Sequence, residues 1–368
     1  MLGESFRFGD VLRRITNGRL DLYRHPRIPD AVATLLYCRF PPDRGVHFGD
    51  SGGGQTGDYT LLNRIAGATG DPAAFWLRDH ITSGVPGGLL DYIDPRAEGK
   101  AALPAVVSRQ FPSVGWVVMR SDFTDPEKVG IACKSGPADD PHHGHLDQGH
   151  VSLYWRGIEF LTDHGSAGYD RKYFDRERWD YPLAATRGHN TVMADGGEQI
   201  CAKLKDAPWT DSGGRIVPFR PGGDRDYTIL DPTGAYPSGG KLKSWWRHII
   251  LEKPRLAVIL DEVACAPGSE VEARFHSAVA QSVKGSWVML GTGKDTMALV
   301  PAALGGCALR TGSHAILMAQ KNATFRTVPY VGAVVKASDG SAVLAAVVLP
   351  AGSDANAEKT AKSVKIAR

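Results

Sequence analysis

The chain has 368 residues, of which 42% are hydrophobic and 23% charged, an ordinary composition for a globular protein with one large core or two domains. The formal net charge is only +3 and Lys and Arg form no runs, so the sequence argues against a nucleic-acid partner. No apolar stretch approaches the roughly 20 residues of a membrane span, and the N-terminus shows no signal peptide. Five scattered cysteines argue against a disulfide framework.

The first hundred residues have the pattern of helices. Apolar residues recur at helical spacing in residues 29–40 and 58–68, and Asp71-Pro72 predicts the start of a third helix that runs to His80. Residues 49–55 are rich in glycine but lack the Gly-Lys-Ser/Thr ending of a phosphate loop. We therefore expect that stretch to be a surface connection between helices.

The pattern changes to short strands near residue 103. Runs rich in Val and aromatic residues recur at regular spacing up to residue 348, and Arg156-Gly157 separates two of them as a tight hairpin requires. This spacing is typical of an antiparallel sandwich. We predict an α+β chain with a helical segment over residues 1–102 and a large antiparallel β-sandwich over 103–368. The polar stretch 352–368 is expected to fray.

Candidate metal ligands are concentrated in residues 142–189. His143 and His145 are two residues apart and would share one side of an extended segment. Asp163 ends the second arm of the predicted hairpin, and His189 opens another strand. Two imidazoles and a carboxylate can converge on Zn²⁺ at about 2.0–2.2 Å. The alternatives are solvated surface histidines, a turn cap at Asp163 and a structural core histidine at His189.

The order of these motifs resembles the heparinase II/III family of polysaccharide lyases. The chain has His143-Gly-His145-Leu-Asp147, then a strand pair, then Leu161-Thr162-Asp163, then Gly188-His189-Asn190-Thr191. The resemblance covers about residues 114–200 and extends more weakly through 245–263. In that family an incomplete α/α toroid packs against an antiparallel β-sandwich, with the active site between them. The resemblance therefore implies that residues 1–102 are the end of an incomplete toroid.

The resemblance also implies roles for individual residues. It implies a metal held by His145, Asp163 and His189, with His143 facing the substrate. The expected reaction removes the C5 proton of a uronic acid and expels the 4-linked sugar by β-elimination. His143 would be the base or the group that neutralises the carboxylate. The metal, Zn²⁺, is expected to be structural and to aim His143 by fixing the strands around it.

Two further residues are candidates for substrate binding. Tyr169 follows a small-residue loop and could reach the cleft, or it could be a packed loop aromatic. Arg187 precedes the Gly-His-Asn-Thr motif and could pair with a uronate carboxylate, or it could form a surface salt bridge. Gln148 and His150 are expected at the cleft edge or in solvent.

The expected partner is an acidic polysaccharide or oligosaccharide, such as a glycosaminoglycan or alginate. Fewer than 150 residues precede His143, too few for a whole toroid, and the family's tyrosine motif is not recognisable there. Either the chain is a fragment, or a missing N-terminal toroid portion or a second copy in a homodimer completes the site. The resemblance implies a periplasmic or cell-envelope location.

Two rival functions remain. One is a metal-stabilised but catalytically incomplete β module that binds sugar. The other is a cupin-like metal oxygenase, which ranks low because that pattern expects a glutamate about four residues after the histidine pair, where this chain has Gly149.

Overall fold

The computed structural model describes residues 2–52, 58–81, 96–138, 142–201, 213–319 and 324–364. They form two compact units. The smaller unit consists of Met1–Gly45 and Gly54–Val107, and the larger unit of Val46–Gly53 and Ser108–Arg368. The short segment Val46–Gly53 thus belongs to the larger unit, although residues of the smaller unit flank it in sequence. Within the described ranges, no helix is both long and apolar enough to cross a membrane.

The smaller unit contains the predicted helices. Its elements are the helices α1 Leu2–Ile15, α2 Ile28–Tyr37, α3 Tyr59–Thr69 and α4 Pro72–Ile81, with the short strands β1 Arg39–Phe40 and β2 Arg44–Gly45. The side chain of Asp58 caps α3 by accepting a hydrogen bond from the Leu61 amide at 3.0 Å. The carboxylate of Asp71 accepts from the Ala73 amide at 2.8 Å and so caps α4, as the sequence predicts. That these helices end an incomplete toroid stays a prediction.

The larger unit is built mainly of strands. In chain order they are β3 Arg109–Phe111, β4 Trp116–Arg120, β5 Gly130–Lys134, β6 Val151–Trp155, β7 Ile158–Leu161, β8 Val192–Ala194, β9 Arg215–Arg220, β10 Arg225–Asp231, β11 Leu242–Glu252, β12 Leu256–Cys265, β13 Ser269–His276, β14 Gln281–Lys284, β15 Trp287–Thr292, β16 Asp295–Ala303, β17 Ala308–Ala319, β18 Thr324–Ala337 and β19 Ser341–Pro350.

These strands form antiparallel sheets. Strands β3 to β7 pair in chain order as a five-stranded meander. A second sheet has the order β14-β15-β16-β19-β12-β11-β10-β9, and a third has the order β17-β18-β13-β8. All three sheets contribute to one hydrophobic core, represented by Ile131 and Leu153 from the first, Ile249 and Val348 from the second, and Phe275 from the third. The β-rich, antiparallel character predicted for this part of the chain is confirmed.

The hairpin between β6 and β7 is also confirmed. Trp155 pairs with Ile158 across a two-residue turn. Arg156 and Gly157 have φ values of 53° and 72°, the left-handed pair that a tight hairpin turn requires. Because β7 returns along β6, the turn fixes where the chain continues into Asp163.

The expectation that the polar C-terminal stretch frays is wrong for most of it. Residues Asp354–Ser363 form the helix α5, and the Ser353 side chain caps its start by accepting from the Asn356 amide. Ala357 and Ala361 are buried against Trp287 and Ala298 of the large sheet. An apolar face of two small alanines is too weak a signal to stand out in the sequence.

A buried ion pair supports the region of the candidate site. Arg247 on β11 is fully buried, and its Nε and Nη2 donate to the two oxygens of Asp261 at 2.7 and 2.9 Å. Its Nη1 donates to the carbonyl oxygens of Gly149 and Asn190. The pair therefore connects the large sheet to the two loops that carry the histidine motifs.

Replacing Asp261 with alanine is expected to destabilise the protein by about 3–5 kcal/mol, because it leaves the Arg247 guanidinium buried without a counter-charge. Urea unfolding measures this loss. The exposed neighbour Glu262 is the control, since Glu262→Ala is expected to change stability by only about 0.5 kcal/mol. Equal losses in the two variants would show that the ion pair has no special role.

Candidate metal centre and adjoining cavity

Three buried side chains that the sequence analysis singled out lie together. His145, Asp163 and His189 each place one ligand atom within 4.8 Å of the others. Nδ1 of His189 and Oδ2 of Asp163 are 3.5 Å apart. Two ligand atoms that each lie about 2.0–2.2 Å from one ion can have this separation. The arrangement is therefore compatible with a shared divalent cation.

The lack of hydrogen-bond partners for these groups is also compatible with a bound cation. Nδ1 of His145, Oδ2 of Asp163 and both ring nitrogens of His189 are buried with no hydrogen-bond partner among the described residues. A buried polar group without a partner costs about 1–3 kcal/mol, and several of them close together are compatible with a bound cation. Burial lowers the pKa of His189 to about 3, against the opposing charge of Asp163. The imidazole is then neutral at neutral pH, the form that binds metals.

Local structure explains why Asp163 directs only one carboxylate oxygen toward the two histidines of the group. It lies two residues beyond β7. Its Oδ1 accepts a hydrogen bond from the Gly165 amide at 2.8 Å, and its backbone oxygen accepts from Nε2 of His47 at 2.8 Å. These bonds fix the backbone and one carboxylate oxygen, which leaves Oδ2 facing His189.

The residue after His189 fixes the position of that histidine. The Asn190 side-chain amide donates to the Val151 carbonyl at 2.8 Å, and its Oδ1 accepts from the His276 amide at 2.6 Å. Asn190 thus bridges two sheets. The Thr191 hydroxyl donates to the Thr186 carbonyl at 3.0 Å and closes the turn that precedes His189. The His-Asn-Thr motif therefore combines one candidate ligand with two residues that hold its backbone.

One residue of the site was missed from the sequence. Asp50 lies in the stretch expected to be a surface connection, yet its side chain is only 6% exposed and accepts four hydrogen bonds. Its Oδ1 accepts from His145, Tyr173 and Arg178, and its Oδ2 accepts from His143. Burial alone would raise the pKa of Asp50, but these donors and the Arg178 charge hold it well below its usual range. The surface-connection expectation is wrong at Asp50.

Arg178 and Tyr173 were missed as well. Arg178 is fully buried, and its guanidinium donates both to Asp50 and to the carbonyl of Gly144, between the paired histidines. It lies 4.2 Å from the centre of the Tyr173 ring. Burial, and then the hydrogen bond to Asp50, raise the pKa of Tyr173, which keeps the phenol protonated as a donor. Neither residue stands in a recognisable motif, because each acts through contacts distant in sequence.

A glycine allows the Asp50 loop to approach the histidine pair. Gly49 has φ +66°, and a Cβ built on it would lie 2.6 Å from the carbonyl oxygen of His143. The next amide, that of Asp50, donates to the same oxygen at 3.1 Å. Any side chain at position 49 would therefore push the loop away from the backbone of His143.

Substituting Gly49 with alanine is expected to destabilise the larger unit by roughly 2–3 kcal/mol, because a backbone clash adds to the unfavourable φ. Gly196 provides the control, since it has φ +70° with nothing within 4 Å of a built Cβ. Gly196→Ala is expected to lose only about 1 kcal/mol. Denaturant unfolding compares the two variants, and equal losses would contradict a close approach at Gly49.

A cavity of about 590 Å³ adjoins the metal-ligand group. Aromatic, aliphatic and polar residues all line it. The aromatic and charged or titratable residues in its wall include Phe48, Trp116, Tyr169, Trp179, Asp50, Lys134, His143 and His145. The side chain of His143 is 60% exposed, and its Nδ1 lies 3.0 Å from Oδ2 of Asp50. His143 is thus a cavity residue, whereas its neighbour His145 belongs to both the cavity wall and the buried group.

Lys134 brings a cation to the cavity wall, but it is already paired. Its Nζ donates to both oxygens of the fully buried Asp147, at 2.7 and 2.9 Å. Asp147 is therefore committed to Lys134 and does not join the three candidate metal ligands.

The other predicted residues lie in different surroundings. Tyr169 borders the cavity and is 50% exposed. Arg187 instead donates to Glu198 at 2.9 Å and to the Asp180 carbonyl at 2.6 Å, and it is not among the described residues that line the cavity. Its surroundings match the salt-bridge alternative. Gln148 and His150 were expected at the cleft edge or in solvent, and both are fully buried.

Comparisons with known proteins agree with this architecture. Residues 104–358 match the family described as heparinase II/III-like, C-terminal. Heparan sulfate lyase HepC from Pedobacter heparinus is similar in structure, with a TM-score of 0.69 and 15% identity over 92% of this chain and 49% of that chain. A heparinase III crystal structure gives a TM-score of 0.67 and 14% identity over 89% of this chain and 48% of that chain.

These identities are low, so the similarity to solved structures concerns the fold. The chain spans about half the length of the structures that it matches. No curated protein matches the sequence.

Proposed function

The chain belongs to the heparinase II/III-like, C-terminal family, and we propose that it contributes the β-domain side of a lyase active site. The substrate is a uronate-containing polysaccharide, and the reaction is β-elimination. The observation that carries this proposal is the position of His143, an imidazole in the cavity wall directly beside the buried group of His145, Asp163 and His189. The remaining catalytic groups come from a helical toroid portion or from a second copy of the chain.

The residues fit a metal whose role is structural. His145, Asp163 and His189 would hold Zn²⁺ or a similar divalent ion. The ion would supply a fixed positive charge that holds together the three chain segments carrying these residues. All three side chains are buried, whereas His143 is largely exposed to the cavity. This division supports a separation between the residues that hold the metal and the residue that meets substrate.

The chemistry needs groups that this cavity offers. Removal of the C5 proton by a base leaves negative charge beside the uronate carboxylate, which a hydrogen-bonding or positive group must stabilise. The C4–C5 double bond then forms as the bond from C4 to the glycosidic oxygen breaks, and an acid must give that oxygen a proton. His143 serves as the base or as the group that stabilises the carboxylate. The phenol of Tyr169 borders the same cavity and can bind the sugar. Arg187 is already paired with Glu198. We therefore assign the contact with the uronate carboxylate of the substrate to the cavity residues instead.

The test is the ultraviolet absorbance of the 4,5-unsaturated uronate that β-elimination generates. Purified protein is incubated separately with glycosaminoglycans and with alginate, both alone and with a separately supplied toroid portion of a heparinase III. A time-dependent rise in absorbance with at least one polymer supports the proposal. If no polymer gives a rise in either condition, the lyase proposal is wrong for this polypeptide.

A second function is favoured by the composition of the cavity wall. Trp116, Trp179 and Tyr169 provide flat apolar faces of the kind that stack on sugar rings. A module that binds sugar without cleaving it would use the same wall. Isothermal titration with oligosaccharides separates the two functions, because binding without any unsaturated product identifies the non-catalytic module.

A further inference from the structure

The carboxylate of Asp50 joins the buried histidine to the cavity histidine. Its Oδ1 lies 2.9 Å from Nε2 of His145, and its Oδ2 lies 3.0 Å from Nδ1 of His143. The two histidines are separated in sequence only by Gly144, and each uses a different ring nitrogen. One side chain therefore contacts both the candidate metal ligand and the residue that faces the cavity.

This geometry determines the tautomers of both imidazoles. An ionised carboxylate can only accept hydrogen bonds, so each ring nitrogen that faces Asp50 must carry a hydrogen. In the neutral rings the lone pairs then lie on Nδ1 of His145 and on Nε2 of His143. Nδ1 of His145 is the buried atom that has no partner among the described residues. The lone pair thus lies on the nitrogen that is available to a cation.

The carboxylate is itself held in place from several directions. The Tyr173 hydroxyl and Nη2 of Arg178 donate to Oδ1 at 2.6 and 3.0 Å. The Asp50 amide donates to the His143 carbonyl at 3.1 Å. Three donors therefore converge on Oδ1 and His143 donates to Oδ2. The Tyr169 hydroxyl also interacts with this carboxylate. The two oxygens therefore have different surroundings. A rotation that exchanged them would place Oδ2 among the donors that now surround Oδ1 and would place Oδ1 beside His143.

We propose that Asp50 is a positioning residue that sets the tautomers of His145 and His143 together, and so couples metal binding to the orientation of the cavity imidazole. For His145 it selects the nitrogen that can bind a cation. For His143 it directs the lone pair to Nε2, the nitrogen able to take a substrate proton. The second part rests on the proposed function, in which His143 acts on substrate. The first part is independent of any reaction.

Asparagine is the informative substitution, because it keeps the shape of Asp50 but has only one accepting oxygen. Three donors surround the Oδ1 position, so the amide oxygen is expected there and the amide NH₂ is expected to face His143. His145 keeps its acceptor, whereas Nδ1 of His143 now meets a donor and must become an acceptor. Asp50→Asn should therefore retain the metal but move the hydrogen of His143 to Nε2. Asp50→Ala removes the acceptor for both histidines.

Two measurements that do not depend on activity test this. Long-range ¹H–¹⁵N spectra of histidine-labelled, Zn²⁺-loaded protein report the tautomer of His143, whose signals are identified by their loss in His143→Gln. Competition with a chelator measures the affinity for Zn²⁺. We expect the His143 tautomer to change in Asp50→Asn with Zn²⁺ affinity within about threefold of the native value. We expect affinity to fall by roughly 10–100-fold in Asp50→Ala, the usual effect of losing a partner of a metal ligand.

Asp339→Asn is the matched control, because Asp339 is an exposed turn residue whose Oδ1 accepts from Ser341. Asp339→Asn should change neither the His143 tautomer nor the affinity for Zn²⁺. An unchanged His143 tautomer in Asp50→Asn, or native Zn²⁺ affinity in Asp50→Ala, would overturn the positioning role. If the tautomer and the affinity change as expected while native protein cleaves no uronate polymer, the positioning role is supported and the lyase proposal alone fails.

Discussion

Replacing His189 with alanine is expected to abolish metal binding and to lower the melting temperature of the larger unit by roughly 5–10 °C. His189 is fully buried beside Asp163, so a cation held there connects the turn before β8 to the end of β7. A ligand present at a hundred times its dissociation constant contributes about 2.7 kcal/mol. In a unit of this size each kcal/mol corresponds to roughly 2–4 °C. Calorimetry of the native and variant proteins with saturating Zn²⁺ measures the difference.

Removal of the metal provides an internal check on this result. A chelator should lower the melting temperature of native protein by a similar amount, and it should have little further effect on His189→Ala. His142→Ala is the matched control, because His142 is an exposed histidine immediately before the motif. It should keep the native response to Zn²⁺. If neither Zn²⁺ nor the chelator changed the melting temperature of native protein, that result would contradict a structural metal at these residues.

The second large effect concerns catalysis. His143→Ala is expected to reduce the rate of unsaturated uronate formation by about 10²–10⁴-fold, the usual contribution of a group that transfers a proton or stabilises developing charge. Metal content and melting temperature should remain close to native, because His143 is 60% exposed and does not belong to the group of buried ligands. Initial rates of absorbance increase, measured on any polymer from which native protein forms an unsaturated product, test the first part.

The paired measurements make this prediction specific. A variant that retains the native rate would remove His143 from the mechanism. A variant that loses both its rate and its metal would instead make His143 a ligand, contrary to the separation seen in the structure. His143→Gln distinguishes loss of packing from loss of the imidazole, since glutamine retains bulk and polarity but does not titrate.

Features of the fold that are determined by residues adjacent in sequence could be predicted from the sequence. The turn at Arg156-Gly157 and the helix start at Asp71 are encoded by residues next to the feature itself. Sheet order could not be predicted in the same way. Strand β8 pairs with β13, so that Ala194 lies opposite Val271, and no local pattern marks partners so far apart in the chain.

The candidate site shows the same limit. His143, His145, Asp163 and His189 could be proposed because they form motifs, and their combined order is specific even though each part is weak. Asp50 could not be found this way, since it meets His143 across 93 positions of sequence. An acidic residue next to glycines was the available signal, and it is equally typical of an exposed loop.

Burial of polar residues was another feature that the sequence did not reveal. Gln148 and His150 are fully buried because backbone groups satisfy them. Oε1 of Gln148 accepts from the Gly136 amide at 2.7 Å, and Nδ1 of His150 accepts from the Asn190 amide at 3.1 Å. Such partners become visible only once the fold brings distant segments together, because a polar side chain in sequence is more often solvated.

We propose that His145, Asp163 and His189 hold a metal beside a cavity, and that the cavity residue His143 is not a ligand. Elemental mass spectrometry of protein purified with Zn²⁺ and freed of excess ion tests it most directly. We expect about one metal ion per chain in native protein and in His143→Ala, and almost none in His145→Ala, Asp163→Ala or His189→Ala. Full occupancy in those three variants, or a metal-free native protein, would contradict it.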